Sequence, residues 1–142
     1  MSSRSRKEQV TYERHLKKSD RTVCAFCLIN KKSPQFIEDT EHFKVIRNIF
    51  AYSIWDGQYV ADHLMIVPKV HTDTLANMSA SQKIEYFDLL EKYEGLHYSI
   101  YARAPSSVMK SIVHQHTHLI KPGGKLKRFI LLTFKPYFRL AR

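Results

Sequence analysis

The sequence predicts an α+β domain in which an antiparallel sheet packs against one main helix, with a helical extension at the N-terminus. Three observations carry this. Only one window of the body has a helical period, beginning near Ser79. Several short stretches on either side of it are β-branched and aromatic or alternate in twos. Their order, β-β-β-α-β, lacks the regular strand–helix alternation of a parallel α/β sheet.

Residues 4–18 are predicted helical, with Val10, Tyr12 and Leu16 as the apolar positions. Extended segments follow at Gln35–Glu38 and Phe43–Ile49, and Asn48–Gly57 reads as an irregular or short strand segment. Tyr59–Lys69 contains the strongest apolar run of this half and ends at Pro68. Ser79 and Gln82 fit a capping box, in which the serine hydroxyl and glutamine amide satisfy two otherwise orphan backbone donors. From there Ile84, Phe87, Leu90, Tyr93, Leu96 and Ile100 recur every three or four residues and predict one apolar face against the core. After Arg103 the period changes, and Ser106–Ile120 reads as a long strand ended by Lys121-Pro-Gly-Gly. The apolar run Phe129–Phe134 is expected to add a strand or to pack on a partner.

A chain of 142 residues and 16.7 kDa fits one ordinary domain with a substantial core. It divides into a basic extension at 1–22, a body at 23–122 and a basic tail at 123–142. The net charge of +10 belongs to the ends: residues 1–22 hold seven Lys/Arg against three Asp/Glu, and residues 121–142 hold seven against none. Such ends suit contact with an anionic partner such as RNA, or simple solvation. The four glycines are too scattered for a phosphate-cradling glycine loop, so phosphate chemistry has to come from side chains. No apolar run approaches the roughly 18 residues of a membrane span. The basic N-terminus is followed by no apolar segment of a secretory signal, and the expected location is cytoplasmic.

Chemistry concentrates in His114-Gln-His116-Thr-His118. On a strand, alternating side chains share a face with neighbours about 7 Å apart, so adjacent imidazoles can converge on one centre. The only cysteines, Cys24 and Cys27, have the C-x2-C spacing of half a tetrahedral zinc site, and eight histidines are available to complete it; two buried, inert cysteines are the plainer alternative.

These residues resemble those of the histidine triad (HIT) nucleotide hydrolases and transferases. His114-Gln-His116-Thr-His118-Leu-Ile120 is similar to the family's triad motif, Asp62-His-Leu-Met-Ile-Val-Pro-Lys-Val-His71 to its G-H-x-L-φ-φ-P-K-x-H strand, and Cys24-Ala-Phe-Cys27 to the C-x-F-C of its zinc-bearing members. The likeness covers roughly residues 23–120. It implies a structural zinc held by Cys24, Cys27, His71 and His114. It implies His116 as the nucleophile that forms a covalent nucleotidyl-histidine at the α-phosphorus. His118 and His63 are implied as donors to the phosphate, Ser111 as the leaving-group serine and Asn48 as the ribose-holding residue. Lys110 stands where many members have glutamine, facing either the phosphates or solvent, and Asp62 replaces the family's glycine before His63. The implied substrates are adenylylated compounds, either dinucleoside polyphosphates or nucleotide phosphoramidates, and the implied assembly is a homodimer. The alternative is a non-catalytic nucleotide or RNA binder that uses the zinc site and basic ends. Zinc-activated water is disfavoured, because four protein ligands fill the shell.

Overall fold

The computed structural model describes residues 4–18, 22–126, 132–133 and 138–139. Its elements are α1 (Arg6–Lys18), α2 (Ala25–Leu28), β1 (Phe36–Asp39), β2 (Phe43–Arg47), β3 (Ile54–Trp55), β4 (Gln58–Pro68), α3 (Ala80–Gly95), β5 (Ser99–Ala102), β6 (Thr117–Leu126), β7 (Leu132–Thr133) and β8 (Phe138–Arg139). The main sheet runs β1-β2-β4-β6-β5 with β3 also on β4, and every pairing is antiparallel. No helix among the described residues is long and apolar enough to cross a membrane.

The pleat of this sheet separates core from chemistry. Phe43, Val45, Leu64, Ile66 and Leu119 face α3 and pack with Tyr86, Leu89 and Tyr93. Their sequence neighbours Ile46, Met65 and Val67 pack on the opposite face with Phe26 and Ile29, around α2. His63 and His118 fall on that second face, because His118 alternates with Leu119 and His63 with Leu64. A one-residue slip between β4 and β6, paired through Met65↔His118 and Leu64↔Leu119, would bury the imidazoles under α3.

Three expectations require correction. The first concerns α3. The Ser79–Gln82 capping box forms as expected, and of the expected face Tyr93 is buried and Leu90 packs against the core, but Tyr86 and Leu89 complete that face, while Ile84 and Phe87 are 65% and 67% exposed. Both tyrosines are buried, and their hydroxyls find polar partners: Tyr86 on the buried Thr117 Oγ1 at 2.7 Å and Tyr93 on the half-buried Glu38 Oε1 at 2.7 Å. The helix also stops at Gly95 rather than running on to Ile100. His97 adopts φ 67°, its N–H bonds Glu94 O at 2.8 Å, and Tyr98 N–H reaches back to Tyr93 O at 3.0 Å, which is a Schellman cap. Ser99–Ala102 is thereby released to form β5.

The second correction concerns Ser106–Ile120. Strand pairing begins only at Thr117, and residues 106–116 form turns and bends. The backbone there has no strand beside it: Pro68 O accepts the His114 ring at 3.0 Å, and Gln115 N–H bonds Thr72 O at 2.6 Å. Third, Lys121-Pro-Gly-Gly does not end the strand. β6 continues to Leu126 through an irregular ladder with β4, past residue 122 where the sequence sets the end of the body. Gly123 permits that passage, since a Cβ there would lie 3.2 Å from Tyr59 O. Of the run Phe129–Phe134, Leu132 and Thr133 form β7, paired with β8; the rest lies outside the described residues.

Glu85 ties α3 to the start of β2. Its carboxylate accepts from the Thr40 hydroxyl, from His42 N–H at 2.9 Å and from the His42 ring at 2.6 Å. Burial opposes ionisation, but these hydrogen bonds prevail and hold the carboxyl down to about 2. A depressed folded-state value gives stability that is full above the ordinary carboxylate value and is lost as pH falls from there toward 2. Glu85→Gln is therefore expected to lower Tm at pH 7, with the gap from wild type closing as thermal scans move from pH 5 toward pH 2. A gap independent of pH would show that the carboxylate charge is not what matters.

Candidate functional site

Two clusters share the face opposite α3. The first gathers Cys24, Cys27, His71 and His114, whose ligand atoms all lie within 4.8 Å of one another. The single turn of α2 closes with Cys27 N–H on Cys24 O at 3.0 Å and brings the two thiols to the same side. His71 follows the end of β4, and His114 is placed by its Nε2–H, which donates to Pro68 O at 3.0 Å. That hydrogen bond fixes the tautomer and turns the Nδ1 lone pair toward the sulfurs. Cys24 Sγ lies 3.4 Å from His114 Nδ1, Cys27 Sγ 3.5 Å from the same atom, and Cys27 Sγ 3.4 Å from His71 Nδ1.

Donors on a tetrahedral zinc, with Zn–S about 2.3 Å and Zn–N about 2.0 Å, stand roughly 3.3–3.8 Å apart, so two thiols and two imidazole nitrogens at these separations fit the ion. Behind the cluster the buried Lys44 donates to Phe26 O at 2.6 Å and Ile29 O at 2.7 Å, closing the carbonyl end of α2. Burial and then the neighbouring Cys24 raise the Cys27 thiol; burial and then the His71 charge push His114 down to about 4.

The second cluster is a chain of hydrogen bonds with a definite polarity. Tyr52 N–H donates to His63 Nδ1 at 3.2 Å, so His63 carries its proton on Nε2 and donates to His118 Nδ1 at 2.9 Å. His118 must then hold its proton on Nε2, the one buried side-chain nitrogen or oxygen among the described residues with no hydrogen-bond partner. His116 is set the opposite way. Its Nδ1–H donates to His114 O at 2.9 Å, leaving a lone pair on Nε2. The His116 and His118 rings meet edge to face at 4.9 Å, and Phe26 seats His116 from the other side at 5.1 Å. Burial is the main cause lowering His63 to about 4, and it lowers His116 and His118 too, so all three rest neutral near pH 7.

The remaining predicted residues fall unevenly. Asn48 lies against the His63 ring, with its Nδ2 at 3.3–3.5 Å and its Oδ1 accepting from Phe50 N–H at 2.9 Å. Lys110 donates to Gln115 Oε1 at 2.6 Å and Asp73 O at 3.0 Å, which pins the loop before the triad to the segment after His71. Ser111 is exposed on that loop, and no hydrogen bond among the described residues joins it to the triad. Asp62 bonds Arg47, His63 N–H at 2.9 Å and Tyr98 OH at 2.7 Å, which accounts for an acid at that position as a strut. Sequence reasoning missed Tyr52, Tyr101 and Arg103. Tyr52 lies 4.8 Å from His63 and 5.7 Å from His118, and Tyr101 stacks on His118 at 5.9 Å. A signal for the first was available: Asp56-Gly57, with φ 47° and 74°, is the Asp-Gly turn that folds β3 onto β4 and swings Tyr52 inward.

No family model and no curated protein matches the chain. Solved structures do. A HIT family hydrolase from Legionella pneumophila is 20% identical with a TM-score of 0.52, over 72% of this chain and 94% of that one. A zinc-bound histidine triad family protein from Mycobacterium smegmatis is 22% identical with a TM-score of 0.52, over 76% and 82%. A hypothetical protein from Leishmania major is 19% identical with a TM-score of 0.57, over 86% and 87%. With the antiparallel sheet, its single main helix and the three imidazoles now placed, this likeness establishes the architecture: the chain has the histidine triad fold.

Proposed function

We propose that the chain is a nucleotide hydrolase of the histidine triad family, acting at the α-phosphate of adenylylated compounds through a covalent intermediate on His116. The observation that supports this most is the opposed polarity of two neighbouring imidazoles: a lone pair on His116 Nε2 beside an unpartnered N–H on His118. A nucleophile and a donor for phosphate oxygen are thus set side by side before any substrate arrives.

In the first step the His116 Nε2 lone pair forms a bond to the α-phosphorus. The bond from phosphorus to the leaving atom breaks, and its electron pair departs with that atom. His116 keeps its Nδ1–H on His114 O, where the carbonyl stabilises the positive charge of the nucleotidylated ring. His118 Nε2–H donates to a non-bridging oxygen, backed by the His63 and Tyr52 relay. Water then adds to phosphorus, its proton passes to solvent or the departed group, and the phosphorus–nitrogen pair returns to Nε2. Asn48, beside His63, is proposed to meet the ribose. Cys24, Cys27, His71 and His114 would hold zinc, which supplies rigidity: an anchored His114 fixes the carbonyl that orients His116 two residues on.

The direct test is to mix the full chain with labelled diadenosine triphosphate, quench in alkali, where phosphohistidine survives, and digest. An adenylyl group on the peptide containing His116 is expected. Turnover with no adduct at any quench time, and oxygen from labelled water entering in one step with inversion at phosphorus, would replace this mechanism by direct attack of water.

A further inference from the structure

Two guanidinium groups contact the aromatic side chains that line the triad, and among the described residues neither is in an ion pair. Arg103, half-buried just past β5, donates from Nη2 to Tyr52 OH at 3.1 Å and lies 5.3 Å from the centre of the Tyr101 ring, the ring stacked on His118. Arg4, just before α1, sits 5.0 Å from the centre of the Tyr52 ring and 4.2 Å from that of Tyr12. It is held there by two hydrogen bonds to Phe50 O, at 3.1 and 2.8 Å. Both charges reach His118. Among the described residues neither arginine forms an ion pair, and Glu8, the acid that feels Arg4, is bonded to Ser5 and Ser53.

A half-buried guanidinium retains unused donors in a fixed fork suited to phosphate. Placed beside a reacting phosphorus, it favours whichever leaving group departs as an anion. A phosphoanhydride does: the bridging oxygen takes the bond's electron pair and becomes a terminal oxygen of the released phosphate chain, with no proton needed. A phosphoramidate departs as a neutral amine only after its nitrogen gains a proton, which a fixed cation cannot give and whose positive charge it repels.

We infer that Arg103, with Arg4 behind Tyr52, forms an anion subsite beyond the attacked phosphorus, and that the substrate class is a nucleotide joined through a phosphoanhydride to further phosphates rather than to an amine. This rests on the nucleotide-hydrolase reading above and narrows its substrate.

The test compares kcat/KM for diadenosine triphosphate and adenosine 5′-phosphoramidate in the metal-loaded full chain and in Arg103→Gln and Arg103→Lys. Wild type is expected to prefer the triphosphate. Arg103→Gln should lower the preference ratio about tenfold, the scale of one lost charge-assisted hydrogen bond, and Arg103→Lys should restore part of it. An unchanged ratio, or equal losses on both substrates, would overturn the inference. Calorimetric binding of inorganic triphosphate to the same proteins gives a second arm, in which Arg103→Gln should bind about tenfold more weakly. Equal binding there overturns the subsite. If neither nucleotide is turned over while triphosphate still binds in an Arg103-dependent way, the hydrolase reading falls and the anion subsite stands.

Discussion

His116→Ala is expected to abolish turnover, with kcat falling by on the order of 10^4 or more, the scale seen when a covalent nucleophile is removed. The residue is nearly fully buried between Phe26 and His118, so the loss of an imidazole also leaves a small void, and Tm should drop modestly. Nucleotide binding should persist, because the donor on His118 and its relay through His63 to Tyr52 do not pass through His116. His118→Ala is the informative contrast. It removes a phosphate donor but not the attacking lone pair, so its cost should be on the order of 10^2 to 10^3 in kcat, as for one donor to a developing charge. Measuring kcat and nucleotide affinity for both variants checks the ordering. If His116→Ala kept near-wild-type turnover, or if His118→Ala were the more damaging change, the nucleophile would have been assigned to the wrong ring.

Much of this site was legible because its residues sit where local rules are strict. On β6 the pleat requires His118 to oppose Leu119, so one apolar and one chemical face follow from the sequence there, whereas His114 and His116 precede the strand. The cysteine spacing was equally direct, since one helical turn is all that separates Cys24 from Cys27. What was not legible depended on contacts distant in sequence. Ile84 and Phe87 have the right period for a core face, yet α3 buries the tyrosine-bearing face, where Thr117 and Glu38 hydrogen-bond the two hydroxyls. His97 in a left-handed conformation gave no warning, because the chain's glycine lies two residues before that cap position, at Gly95. Arg103 and Tyr52 join the site from just past β5 and the loop before β3, and no spacing rule links positions 52 and 103 to the triad.

Cys24→Ala is expected to cost the chain both its metal and a large part of its stability. A four-donor zinc site binds its ion only when folded, so the binding free energy, on the order of 10 kcal/mol for structural zinc at neutral pH, acts as folding free energy. Here the consequences should spread well beyond the loop that carries the cysteine. The cluster joins α2, the segment after β4 and the approach to β6 at one point, where the other links are hydrogen bonds and ring contacts: Lys44 on the end of α2, Lys110 on Asp73 O, Gln115 N–H on Thr72 O, and Phe26 against His114 and His116. Without zinc, burial raises the Cys27 thiol, and His114 is held only by hydrogen bonds, its Nε2–H to Pro68 O and its Nδ1 beside the two sulfurs. The carbonyl of His114 then loses a fixed position, and with it His116 loses its orientation. Metal analysis should find one zinc per wild-type chain and substantially less in Cys24→Ala. A strong chelator should lower the wild-type Tm by ten degrees or more, roughly what several kcal/mol represent in a domain of this size, and should leave the variant almost unmoved. The converse result, a wild-type chain that is folded, zinc-free and indifferent to both chelator and substitution, would show that the cysteines only pack beside Phe26 and that the bond to Pro68 O and the Phe26 ring alone hold His114 in place.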